Sequence, residues 1–283
     1  MSKPKEGYTQ ILTQISEILS KASLEEKNRN IQPTLLYSEG WLLRLILLWL
    51  SDNNINDFKL NFLKDSRWYS EAMLPSPFLA NVEYGRGDKL AEKHTHCDGV
   101  IGNFEIGDSG KSDLKLLENC KQFIVIEAKI FSKLSPIKNA PGYNQVARTL
   151  ACMSCVVDKS KVDLNKIESL GFFLLLPDSL PEDKINEFKK YTEKESKENN
   201  KEKNKNIFNT VENRVKQYEG RDDYDAKRKW FDNSFKPFLE KVQIDILMWK
   251  KDIIEVIKKH DSEYGEAIED FYNKCLEFNK NKK

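Results

Sequence analysis

The residues best suited to chemistry lie in one short run, 123–130, reading FIVIEAKI. Four apolar residues lead directly into Glu127 and Lys129. On an extended segment, side chains two apart project to the same face, so a carboxylate and an ammonium leave the end of an apolar strand together. Buried charge is costly unless it is paired or bound to a metal. A salt bridge between neighbours at a sheet edge is the plain alternative for so short a pattern. Asp98-Gly99, inside residues 94–106 (HTHCDGVIGNFEI), brings a second carboxylate. If its strand pairs with FIVIEAKI, the two acids converge, repel each other and need a cation between them. Hard oxygen donors of this kind select Mg²⁺ or Mn²⁺. Taken alone, Asp98 reads as an ordinary turn-capping residue.

Three further side chains belong to the same question. Glu39 lies among Leu35, Leu36, Leu42 and Leu43, its neighbours at helical spacing. An acid on a leucine face either pairs with something buried, Arg44 among the candidates, or looks into a cleft. Gln145 and Arg148 stand one turn apart near a helix start, where anions are favoured and Arg can fork onto phosphate oxygens. A plain polar helix face explains them equally well. His94, His96 and Asp98 read HxHxD, similar to the first motif of metallo-β-lactamase-fold hydrolases. Gly99 follows that motif and the only other histidine is His260, so the ligand count fails. Alternation still puts His94 and His96 on the Asp98 face, where simple exposure is the expected state.

The elements that must position these residues follow from periodicity and turn signals. Helices are expected over 7–29 and 34–51, the second apolar on nearly every face. Strands follow at 68–74 and 95–106, the latter bent at Gly99 or Gly102, with a turn at 107–111. Residues 123–130 and 171–176 read as strands buried on both faces. Between them lie a loop at 136–142 and a helix at 143–157. A charged, solvated stretch fills 181–206, and helix 207–235 follows it. Residues 242–249 are read as strand, with helices at 251–260 and 263–278. This order predicts one α/β domain over 1–283, a mixed central sheet flanked by helices. Its core spans about 34–177, and 181–283 forms a helical and strand extension.

Composition bounds the function. The 283 residues are 39% apolar and 32% charged, which argues against wholesale disorder. Lys and Arg number 46 against 45 Asp and Glu, a net charge of +1. Histone-like or tail-type nucleic-acid binders are thereby disfavoured, and any grip on phosphate must be local. The basic run 227–230 (KRKW) reads as a solvated helix face sooner than a backbone contact. Five cysteines show no disulfide framework, and the C-x-x-C of Cys152 and Cys155 has no second pair for zinc. The glycines at 85 and 87 complete no phosphate loop. The first ten residues carry no apolar run, and residues 35–50 fall short of a membrane span. A cytoplasmic protein without membrane association is expected.

Together, Glu39, Asp98, Glu127-Ala128-Lys129 and Gln145 resemble the PD-(D/E)xK nuclease superfamily, whose fold is restriction-endonuclease-like. The resemblance covers about half the chain, and the order of elements carries more of it than any single residue. Cys97 stands where that pattern has Pro, and Thr149 where an aromatic often follows Gln145. The resemblance implies metal-dependent hydrolysis of phosphodiester bonds, with DNA as the expected partner and a homodimer as a natural form. Asp98, Glu127 and the Ala128 carbonyl would hold Mg²⁺ or Mn²⁺, with Glu39 joining directly or through water. Lys129 would orient or deprotonate the attacking water, and Gln145 and Arg148 would position phosphate or nucleophile. The rival reading is a catalytically silent nuclease-fold module that binds DNA or protein.

Overall fold

The structure, a computed structural model, describes residues 6–21, 31–53, 55–79, 88–107, 113–130, 143–189 and 204–280, with side chains of 6–12 and Glu187 left aside. A five-stranded sheet forms its centre. Its strands are β1 (Arg67–Leu74), β2 (Thr95–Gly102), β5 (Gln122–Ala128), β6 (Ser169–Leu176) and β7 (Gln243–Met248), side by side in that order. β1, β2 and β5 run antiparallel, whereas β5, β6 and β7 run parallel. The sheet is therefore mixed, as expected. β3 (Phe104–Ile106) and β4 (Leu114–Leu116) form a separate small hairpin.

Parallel strands need a crossover, and α4 (Gln145–Ser160) supplies it between β5 and β6. Asn144 caps α4, its side chain accepting from the Ala147 N–H at 2.9 Å. One face of the sheet packs on α4, α6 (Lys205–Lys216) and α8 (Lys236–Lys241), which bury Val100, Val125 and Phe172. The other packs on α3 (Glu39–Asn53), α9 (Glu255–His260) and α10 (Ser262–Asn279), which bury Ile101, Ile124, Ile126 and Phe173. All seven residues of β5 are buried, the reason its sequence shows no polar alternation. Gly99 lets α3 approach closely. A Cβ there would stand 3.0 Å from Leu43 and 3.2 Å from Leu47.

Several expected elements differ. The helix expected over 34–51 is two pieces, α2 (Pro33–Leu36) and α3, separated at Tyr37 and Ser38. Ser38 serves as the turn: its carbonyl accepts from the Leu42 N–H at 3.0 Å, and its hydroxyl from the Trp41 N–H at 3.4 Å. The first helix, α1, runs Glu6–Lys21, and the rest of the expected 7–29 lies outside the described residues. The strand over 95–106 divides at Gly102, whose φ of +157° suits glycine, while Gly99 stays within the ladder. Helix 207–235 is also divided: α6, then α7 (Tyr224–Trp230), then a π-helical turn at Phe231–Phe235. A second π-helical turn, Trp249–Ile254, leads from β7 into α9. Helix α5 (Glu182–Lys189) occupies the start of the charged stretch. The turn at 107–111 beyond Gly107, the loop at 136–142 and the glycines at 85 and 87 lie outside the described residues. Among the described residues, no helix is long and apolar enough to cross a membrane.

Candidate active site

The site opens where two strands part. β2 and β5 pair from Gly102 opposite Phe123 to Gly99 opposite Ile126. Beyond that point β5 continues along β6, and β2 continues along β1. Asp98 and Glu127, next in register, stand in the fork. The Ala128 N–H donates to the Asp98 carboxylate at 2.7 Å in place of a ladder bond. Lys129 lies one residue past β5, and its ammonium donates to Glu127 Oε1 at 2.6 Å while standing 3.6 Å from Asp98 Oδ2. Gln145, the first residue of α4, donates its amide to the same Glu127 oxygen. The other oxygen, Glu127 Oε2, is buried without a partner.

Glu39 is not mid-helix. The break at Ser38 makes it the first residue of α3, and its carboxylate accepts from the Ile130 N–H at 2.8 Å. It does not pair with Arg44. That guanidinium donates to the Ser70 hydroxyl at 2.8 Å, lies 3.6 Å from Glu71 and covers the Trp41 ring. The fold thus brings Asp98, Glu127, Lys129 and Gln145 together, with Glu39 on the adjoining amide. Arg148 is spent elsewhere. It binds the buried Glu92 carboxylate at 3.2 Å and the Lys93 carbonyl at 2.8 Å, so its charge serves the packing of α4. Of the 227–230 run, Lys229 is exposed and the other three are answered from within. Lys227 donates to Asp223, Arg228 to Asp232 and Glu212, and Trp230 packs on Phe78.

Burial dominates the electrostatics. Glu127 is 3% exposed. Desolvation, reinforced by the charge on Asp98 and opposed by Lys129, pushes its carboxyl from 4.5 up to about 7. Burial alone would lower Lys129, but Glu127 and Asp98 outweigh it and hold the ammonium above its ordinary value. Lys129 is therefore charged and serves the two acids as counter-ion. Chemically the cluster offers two carboxylates that share one tethered ammonium, with one Glu127 oxygen still unanswered and an amide held on the other.

Sequence reasoning missed three features. Trp249, the first residue of its π-helical turn, donates its indole N–H to the Lys129 carbonyl at 2.9 Å. Glu92 is buried beside Arg148 and Arg214, with burial pushing its carboxyl up. Neither carries a sequence signal, since both depend on distant segments meeting. Glu71 takes a left-handed φ of +58° in β1, opposite Asp98 in register. Alternation breaks there: Gly99 faces α3, yet Cys97 lies in the core on the opposite face. Pleat counting therefore cannot place the histidines. His94 precedes β2, and exposed His96 meets the Glu71 carbonyl at 3.1 Å. All five cysteines are buried and free. Among the described residues, no three acidic, histidine or cysteine side chains gather closely enough to enclose a metal by themselves. Compared with protein families, curated proteins and solved structures, the chain matches none.

Proposed function

We propose that this chain is a Mg²⁺- or Mn²⁺-dependent nuclease of the PD-(D/E)xK type, hydrolysing phosphodiester bonds in DNA. One observation carries the reading: the fork between β2 and β5 gathers Asp98, Glu127, Lys129 and Gln145, and leaves a buried carboxylate oxygen of Glu127 unanswered. An antiparallel β1–β2–β5 unit, followed by a crossover helix and a parallel strand, also agrees with the restriction-endonuclease-like fold.

The donors fit such an ion. Two carboxylates with the Ala128 carbonyl suit Mg²⁺, which keeps several of its waters instead of demanding a full protein cage. Glu39 holds the Ile130 amide in place, and its charge adds to the negative potential at Glu127. When bound, the ion would polarise the phosphate and lower the pKa of its water. The chain's own groups do the rest. Asp98 holds the Ala128 amide and so fixes the end of β5. Lys129 places a positive charge beside Asp98 and Glu127, where it would orient the attacking water and offset the negative charge that develops on phosphate. Gln145 holds Glu127 by one oxygen, and the other stays buried without a hydrogen-bond partner.

The test is incubation of the purified chain with linear, circular and single-stranded DNA in Mn²⁺, beside Lys129→Ala. Cleavage is expected from the parent and a loss of at least a hundredfold from the variant. Equal cutting by both would remove the reading. No cutting, and no Mn²⁺-dependent rise in melting temperature, would favour a silent binding module.

A further inference from the structure

We propose that Trp249 is a positioning residue for Lys129: its indole N–H holds the Lys129 carbonyl and thereby sets where the ammonium stands between Asp98 and Glu127. This rests on the nuclease reading for its consequence, though the contact itself does not.

Lys129 needs such a hold because β5 ends at Ala128. A strand ladder no longer fixes both of its peptide groups. Its N–H still reaches the Leu175 carbonyl on β6 at 2.9 Å. Its carbonyl leaves the ladder and is met by the Trp249 Nε1–H at 2.9 Å. The flanking amides are held from two other directions, Ala128 by Asp98 and Ile130 by Glu39. Residues 128–130 are therefore tied to β2, β6, α3 and the segment after β7. Trp249 is the only one of these ties that comes from the C-terminal extension. A lysine side chain has four rotatable methylenes and little stiffness of its own, so the ammonium is placed largely by where its backbone is fixed.

Trp249 is itself held firmly. Its side chain is fully buried and packs with Ile253, Ile254 and Ile257. The backbone around it is capped twice. Asp252 accepts from the Met248 N–H at 2.7 Å, and Asp178 accepts from the N–H groups of Lys250 and Lys251 at 2.7 and 3.0 Å. Asp178 lies two residues past β6, the strand that also carries Leu175. β6 thus fixes both ends of the Trp249–Lys129 contact. The residue opens a π-helical turn, a rare geometry that recurs at functional sites. Apolar packing alone would be served by Phe; the indole adds a donor, which in a buried Trp usually has a partner.

The experiment is Trp249→Phe in the full chain, with a melting curve to establish folding. Amide hydrogen exchange should quicken at least tenfold at Lys129 and Ile130 and stay unchanged at Val125 and Ile126. Cleavage of a labelled linear duplex in Mn²⁺ should show kcat down ten- to a hundredfold with KM within twofold, the split expected of lost positioning. If Phe leaves the chain unfolded, benzothienylalanine at position 249 keeps the ring shape without the N–H, and the same results are expected. A folded variant with parental exchange at Lys129 and parental kcat overturns the proposal, as does kcat loss that only tracks the folded fraction. If exchange quickens as stated while Lys129→Ala cuts DNA like the parent, the contact stands and the nuclease reading is what fails.

Discussion

Removing one charge from the site should make the protein more stable, and increasingly so as pH rises. Glu127 titrates near pH 7 in the fold against an ordinary 4.5. Folding therefore favours its protonated form. That contribution is complete below about pH 4.5 and is lost as pH climbs to 7. Over this window the ionised form becomes unfavourable by about 3 kcal/mol. Glu127→Gln keeps the shape and the acceptor oxygen that Lys129 and Gln145 use, but cannot ionise. The variant should match the parent at pH 4.5 and exceed it at pH 8. For a chain of 283 residues the difference in melting temperature should be roughly 5 °C. Scanning calorimetry of both proteins across pH 4.5–8 measures it directly. Added Mn²⁺ should raise the parent's melting temperature at pH 8 and leave the variant's alone, because the cation answers the charge that burial strands. A constant gap between the two proteins across the range would refute the reasoning, since desolvation of Glu127 would then not be the dominant effect.

Two other substitutions separate the structural from the chemical duties of the fork. Asp98→Ala strands the Ala128 N–H and should cost about 1–3 kcal/mol in urea unfolding; Asp98→Asn keeps an acceptor there and should lose under about 1 kcal/mol, while both should abolish the Mn²⁺-dependent cutting that the proposed function expects of the parent. Gly99→Ala drives a methyl toward Leu43 and Leu47, at 3.0 and 3.2 Å, and should cost about 1–3 kcal/mol, read as a lower urea midpoint with the slope unchanged.

The central strands were legible because burial on both faces writes itself into sequence. FIVI and GFFLLL have no polar alternation, and both lie in the interior of the sheet. The convergence of Asp98 with Glu127 was legible for a related reason: a strand carrying Asp-Gly beside an apolar strand ending in Glu has few pairings open to it. Glu39 shows where periodicity misleads. The leucines on both sides of it fit one helix, but Ser38 ends the first turn and starts the next, so the acid opens α3. Arg148 shows a second limit. A helix-start arginine looks available until Glu92, 56 residues earlier, arrives to bind it. Trp249 was illegible because its partner is a backbone carbonyl 120 residues away, and a hydrogen bond to a carbonyl leaves no mark on residue type.

The places where local rules break lie together. A buried carboxylate oxygen lacks a partner, a glutamate takes a left-handed backbone conformation, the pleat reverses, and a carboxyl is pushed near neutrality, all at the junction of β1, β2 and β5. Packing alone would remove each of these, since a leucine at 127 or a glycine at 71 would serve the fold better. Lys129 makes the arrangement tolerable by standing between the two acids as a cation would. Well-packed apolar residues in place of a buried ion pair often serve stability as well or better. What the charged version adds is a site where the counter-ion is tethered on a flexible side chain. Under the proposed nuclease reading, a divalent ion would take the place that Lys129 holds between Asp98 and Glu127 and free the ammonium for an incoming phosphate.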